Sequence, residues 1–91
     1  MTDDQAWQLA DSVALRPEPF GALAYDYATR RLSFLKTPQL ADVVRRLGSS
    51  PTVGDALRDA GVDRPRWGTY LRALESLASS GMLRRRGEPA A

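Results

Sequence analysis

The charged side chains of this 91-residue chain are thirteen cations and eleven carboxylates, and neither cysteine nor histidine accompanies them. Without a thiol there is no disulfide, no thiolate metal site and no sulfur nucleophile. Without imidazole, the commonest general base and the commonest metal ligand are both missing. Ser12, Ser33, Ser49, Ser50, Ser76, Ser79 and Ser80 have no such base to activate them, and Lys36 is the only lysine. Most of the acidic residues fall at helix starts or in loops. The residue types argue for binding and against catalysis. No enzyme activity, metal or cofactor is expected of this chain.

The cations are unevenly placed. Residues 1–26 carry Asp3, Asp4, Asp11, Glu18 and Asp26 against Arg16 alone, so twelve of the thirteen cations come later. That gradient suits an acidic partner docking on the second half.

The elements that must position such a partner can be read from periodicity. "RRLSFLKTP" (30–38) alternates Leu32 and Phe34 with Arg31 and Ser33, the pattern of a half-buried strand. "SVALRPEP" (12–19) and "FGALAYDYA" (20–28) precede it as two further extended segments. An antiparallel meander is the simplest assembly.

From Thr37 the period becomes helical. Thr37 suits an N-cap and Pro38 the first helical position, followed by the apolar stripe Leu40, Val43, Val44 and Leu47. Asp42 and Arg46 are spaced for an i,i+4 pair, and Gly48 for the C-terminal stop. Thr52 with Asp55 reads as a capping box, opening a short helix that Gly61 ends. Asp63 is expected to cap a third helix bearing Trp67, Tyr70, Leu71, Leu74, Leu77 and Ala78, stopped by Gly81. The expected fold is α+β: a three-stranded antiparallel sheet followed by three helices, in one domain over 1–91 with frayed ends at 1–6 and 87–91. "MLRRR" could add a short strand.

No apolar run approaches the roughly 18 residues of a membrane span, and the acidic N-terminus is unlike a signal peptide. A cytosolic protein without membrane contact is expected.

The short "GVD" link between the second and third helices has helix-turn-helix spacing, which raises a DNA-binding winged helix as the alternative reading. A wing needs a hairpin after the recognition helix, and only ten residues follow Gly81. The outward face of that helix offers Arg66, Thr69, Arg72, Ser76 and Ser79 with Glu75 opposing phosphate, a thin set for specific binding. No nucleic-acid partner is expected.

The edges of the sheet favour a different partner. Pro17 and Pro19 blunt the first strand, since each lacks a backbone donor. Residues 31–35 have no such protection, unless "MLRRR" covers them or Arg30, Arg31 and Lys36 shield them. An open strand beside an apolar helix stripe, around Tyr70, Leu71 and Leu74, can accept an extended peptide. The same edge could pair with a second copy of the chain.

The runs "VALRPEPFGALAYDYATRRLSFLKTPQLADVVRRL" (13–47) and "YLRALESLASSGML" (70–83) resemble the mycofactocin-pathway peptide chaperone family MftB. They are similar more broadly to PqqD-like leader-recognition domains of ribosomally made, modified peptides. The likeness covers about residues 7–86. It implies a winged-helix-like recognition element that binds the leader of a precursor peptide as an added strand between the third strand and third helix. It implies presentation of that peptide to a radical S-adenosylmethionine (SAM) enzyme, which holds the iron–sulfur clusters and decarboxylates then crosslinks a C-terminal Val-Tyr. Carried onto this chain, the strand contacts are Arg31, Leu32, Ser33, Phe34 and Leu35. The helix contacts are Arg66, Trp67, Tyr70, Leu71 and Leu74.

Overall fold

Thr37 divides the chain into a sheet-forming half and a helical half. The computed structural model describes residues 1–87. Before Thr37 come β1 (Trp7–Leu9), β2 (Val13–Glu18), β3 (Gly21–Asp26) and β4 (Arg31–Leu35). After it come α1 (Pro38–Leu47), α2 (Val53–Asp59), α3 (Trp67–Ser79) and β5 (Leu83–Arg85). Strands β2, β3 and β4 form the antiparallel meander in sequence order, so the chain has the expected α+β class.

One sheet was not legible in the sequence. β1 pairs antiparallel with β5, Trp7 opposite Arg85 and Leu9 opposite Leu83. Three residues are too few to display an alternation, which is why Trp7–Leu9 carries no strand signal of its own. This pairing takes "MLRRR" away from β4, whose only strand neighbour among the described residues is β3.

The helices begin as their caps dictate. The Thr37 hydroxyl accepts from the Leu40 amide at 3.0 Å, and that of Thr52 from the Asp55 amide at 3.1 Å. Asp42 and Arg46 are paired at 3.1 Å. Gly61 and Gly81 take the left-handed conformation after their helices, whereas Gly48 stays right-handed at φ −68°. Asp63 makes no side-chain cap. A 3-10 turn over Arg64–Arg66 intervenes, and α3 starts at Trp67. Ahead of β1, the carbonyls of Asp3 and Gln5 accept from the Gly54 and Val53 amides, both at 2.8 Å, which satisfies the first turn of α2. For residues 88–91, the expected fraying of 87–91 lies outside the described residues.

The core lies between the meander and the helices. Ala22, Ala24 and Leu35 meet Ala41, Val43, Val44 and Leu47 of α1, with Leu57, Leu74 and Met82 deeper in the same cluster. Small residues on β3 allow α1 to approach closely. At Gly21 (φ 154°) a Cβ would sit 2.2 Å from the Leu35 carbonyl oxygen and 2.7 Å from that of Thr37, so only glycine fits.

The face of β4 that meets the core is the reverse of the one its apolar residues suggest. Ser33 and Leu35 turn toward the helices, while Leu32 and Phe34 are 54% and 60% exposed. Register explains it. Leu35 sits opposite buried Ala22 and Ser33 opposite buried Ala24, so parity places Leu32 opposite Tyr25 and Phe34 opposite Leu23 on the outer face.

Candidate functional site

The open edge of β4 has a definite pattern of free peptide groups. The Tyr27 amide donates to the Ser12 carbonyl at 2.9 Å. Hydrogen-bonded pairs alternate along an antiparallel ladder, so Ala14–Tyr25 and Arg16–Leu23 are the bonded pairs between β2 and β3. Ala22, Ala24 and Asp26 therefore turn their peptide groups to β4, where Leu35, Ser33 and Arg31 meet them. Leu32 and Phe34 are left with N–H and C=O directed away from the sheet.

Beside that edge runs a groove. A cavity of about 310 Å³ between β4 and α3 is lined by Ser33, Phe34, Leu35 and Lys36 on one side and Leu40, Ala73, Ser76 and Leu77 on the other. A second, of about 150 Å³, is lined by Thr37, Leu40, Arg66, Thr69, Tyr70 and Ala73. Leu40 and Ala73 line both cavities, so the two adjoin. Leu35, Leu40, Ala73 and Leu77 give the groove an apolar lining, with room for a few side chains.

One end of the groove carries a braced cation. Arg66 donates to Gln39 Oε1 at 3.2 Å and to the Tyr70 hydroxyl at 3.1 Å, and its guanidinium lies 5.2 Å from the Tyr70 ring centre. The Tyr70 hydroxyl donates to the same Gln39 oxygen at 2.9 Å, while Gln39 Nε2 donates to the Ala60 carbonyl at 3.2 Å. These contacts fix the guanidinium without neutralising it. Among the described residues, Arg66, Arg31 and Lys36 have no carboxylate within ion-pair distance. Such a site offers backbone pairing, apolar pockets and uncompensated positive charge to an extended acidic segment.

Asp26 closes the β3–β4 turn rather than lining the groove. Ser12 Oγ donates to its carboxylate at 2.7 Å, joined by the amides of Ala28 at 2.9 Å and Thr29 at 3.4 Å. The Ser12 bond leads in holding this buried carboxyl below the usual range, against the opposite pull of desolvation. Among the described residues no group of three acidic side chains gathers to hold a metal ion. No described helix is long and apolar enough to cross a membrane.

The sequence profile of the peptide chaperone MftB family matches residues 6–84, a span that runs from just before β1 into β5. The chain belongs to the peptide chaperone MftB family. It is 52% identical over 80 residues to the peptide chaperone MftB of Mycobacterium ulcerans (strain Agy99), covering 88% of this chain and 73% of that protein. The Mycobacterium tuberculosis protein of the same name is 50% identical over the same shares. That of Mycolicibacterium smegmatis is 48% identical over 88% of this chain and 78% of its own length. No solved structure matches. The role is that of a chaperone, which is not catalytic.

In this MftB-family chain the residues singled out from sequence separate into three groups. Ser33, Phe34, Leu35, Arg66 and Tyr70 line the groove. Arg31 and Leu32 lie farther along β4, with the Leu32 side chain on the outer face. Trp67, Leu71 and Leu74 stand apart from the groove. Leu74 is fully buried and Leu71 packs against the core. Trp67 donates its indole N–H to the Val62 carbonyl at 2.9 Å, under the Arg64 guanidinium at 4.4 Å. The helix residues that do line the groove, Thr69, Ala73, Ser76 and Leu77 with Arg66 and Tyr70, follow a three-to-four spacing one strip around from the strongest apolar stripe. That spacing was readable, but the polarity of Thr69 and Ser76 and the small size of Ala73 keep these three out of the apolar stripe. Thr37 and Leu40 were hidden because they belong to the cap and first turn of α1, and Lys36 because it lies in the link between β4 and that cap.

Proposed function

We propose that the chain binds the leader of a ribosomally made precursor peptide as a fourth strand on β4. The leader's side chains enter the groove against α3, and the chain presents the peptide to a radical SAM maturase in mycofactocin biosynthesis. The observation that carries this reading is the edge of β4, unpaired among the described residues, lying directly beside an apolar, cation-flanked groove. Family membership supplies the peptide and the chaperone role.

Magnitudes require both parts of the site. Each added backbone hydrogen bond contributes roughly 0.5–1.5 kcal/mol net. Association costs about 4–15 kcal/mol. Two or three Leu-sized side chains entering pockets add roughly 1.5–3 kcal/mol each, enough to bring such a complex into a useful range. The DNA-binding alternative gains nothing from the arrangement of β5, which joins β1 instead of forming a hairpin after α3.

The test is an amide-shift titration of isotope-labelled protein with the precursor peptide. Residues 31–35 should move together with Arg66, Tyr70, Ala73 and Leu77. Shifts confined to β1 and β5 would place the peptide elsewhere and overturn strand addition on β4.

A further inference from the structure

Leu32 and Phe34 belong to two surfaces at once. Their peptide groups form the free edge, and their side chains stand on the sheet face turned away from the helices, opposite Tyr25 and Leu23. That face is apolar and uncovered, with Tyr27 67% and Phe20 40% exposed. Tyr25 meets Tyr27 edge to face at 4.6 Å, and Phe20 meets Phe34 at 5.9 Å, so the rings brace one another. A hollow of about 640 Å³ opens there, lined by Ala14, Arg16, Leu23, Tyr25, Tyr27 and Leu32. An exposed apolar patch of this continuity, rich in aromatic rings, marks an interaction surface.

Its chemistry differs from that of the groove. The ionic groups along its β2 flank, Arg16 and Glu18, neutralise each other at 2.8 Å. The groove, by contrast, is bordered by cations with no such partner. Two surfaces of opposite character meeting along one strand call for two partners, one acidic and extended, the other apolar.

We infer that the outer face of the β2–β3–β4 sheet docks the enzyme that modifies the bound peptide, through an apolar surface on that enzyme; this rests on the peptide-capture reading above. Continuity selects this occupant. A strand added beside β4 sets every second side chain level with Leu32 and Phe34, so a bound peptide widens the same face. A partner that must touch chaperone and peptide together is the one that gains from that widening. A second copy laid antiparallel along β4, Ser33 against Ser33, would bring Lys36 beside the other copy's Arg30, an unfavourable like-charge pair.

Two variants of the full chain test the inference: Leu23→Thr with Tyr27→Thr, and separately Ala14→Lys. Ala14 is exposed and adds a charge to the hollow without touching the core, which keeps the test valid should the double variant unfold. Calorimetry measures binding of the precursor peptide first, then binding of the radical SAM enzyme to the peptide complex. Peptide affinity should stay close to the parent's, while affinity for the enzyme falls at least about tenfold in each folded variant. Unchanged enzyme affinity in both overturns the inference. So does a parent chain that sediments as a dimer and variants that sediment as monomers, which would assign the face to a second copy. A parent that takes no peptide, yet binds the enzyme through this face, refutes peptide capture and leaves the docking face standing.

Discussion

Leu32 and Tyr25 stand opposite one another on the outer face of the sheet, and this pairing leaves the Leu32 peptide group pointing into open solvent. The same parity frees Phe34 and engages Ser33. Proline is therefore expected to act differently at neighbouring positions. Leu32→Pro or Phe34→Pro removes an outward donor and spares the ladder to β3, so peptide affinity should drop by more than in Leu32→Ala or Phe34→Ala. Ser33→Pro removes a ladder bond and should destabilise the fold by about 1–3 kcal/mol. Paired calorimetry and urea titrations separate the two effects, and equal behaviour of all three proline variants would contradict this assignment of the amides.

Charge gives a second expectation. Arg66 is held by Gln39 and Tyr70, and Arg31 is exposed at the far end of β4. Reversing both to Glu should weaken peptide binding and flatten its dependence on salt, because the attraction lost is the screened part. Calorimetry across a salt series checks it. An unchanged slope would remove charge matching from the mechanism.

The groove can be filled without disturbing the core. Ala73 is half-buried where the two cavities join. Ala73→Arg should leave the melting temperature nearly unchanged while lowering peptide affinity at least about tenfold, through lost pocket volume. Full affinity in this variant would mean that the peptide does not enter between β4 and α3.

Asp26 makes stability depend on pH in a defined direction. Its carboxyl is held low chiefly by Ser12, so its folded value lies below its unfolded value of about 4. The stabilisation is then present above the unfolded value and is lost as the pH falls through the folded one. Asp26→Asn should be less stable than the parent near neutrality, and the gap should narrow on acidification below about pH 4. Urea midpoints measured across that range decide it; a gap of constant size would show that the carboxylate charge plays no part.

Much of the fold could be read in the sequence because its signals are local. Thr37 and Thr52 cap as their hydroxyls dictate, Gly61 and Gly81 stop helices with positive φ, and three strands alternate. What escaped is non-local. The β1–β5 pair joins two three-residue strands from opposite ends of the chain. The inward face of β4 is decided by Ala22 and Ala24 on its neighbour, not by its own apolar residues. At the site the same division holds. Arg66 and Tyr70, which the resemblance names as contacts, line the groove, but the most apolar residues of α3, Trp67, Leu71 and Leu74, pack toward the core. The groove is left to Thr69, Ala73 and Ser76, whose side chains are too small or too polar to announce a binding stripe.

Hydrogen exchange at single amides tests strand addition on β4 most directly. In the free chain Leu32 and Phe34 should exchange fast while Ser33 between them is protected. Saturation with the precursor peptide should slow Leu32 and Phe34 by at least about tenfold and leave Ser33 little changed. Leu32 and Phe34 amides that exchange as rapidly with the peptide bound as without it would contradict a fourth strand at this edge.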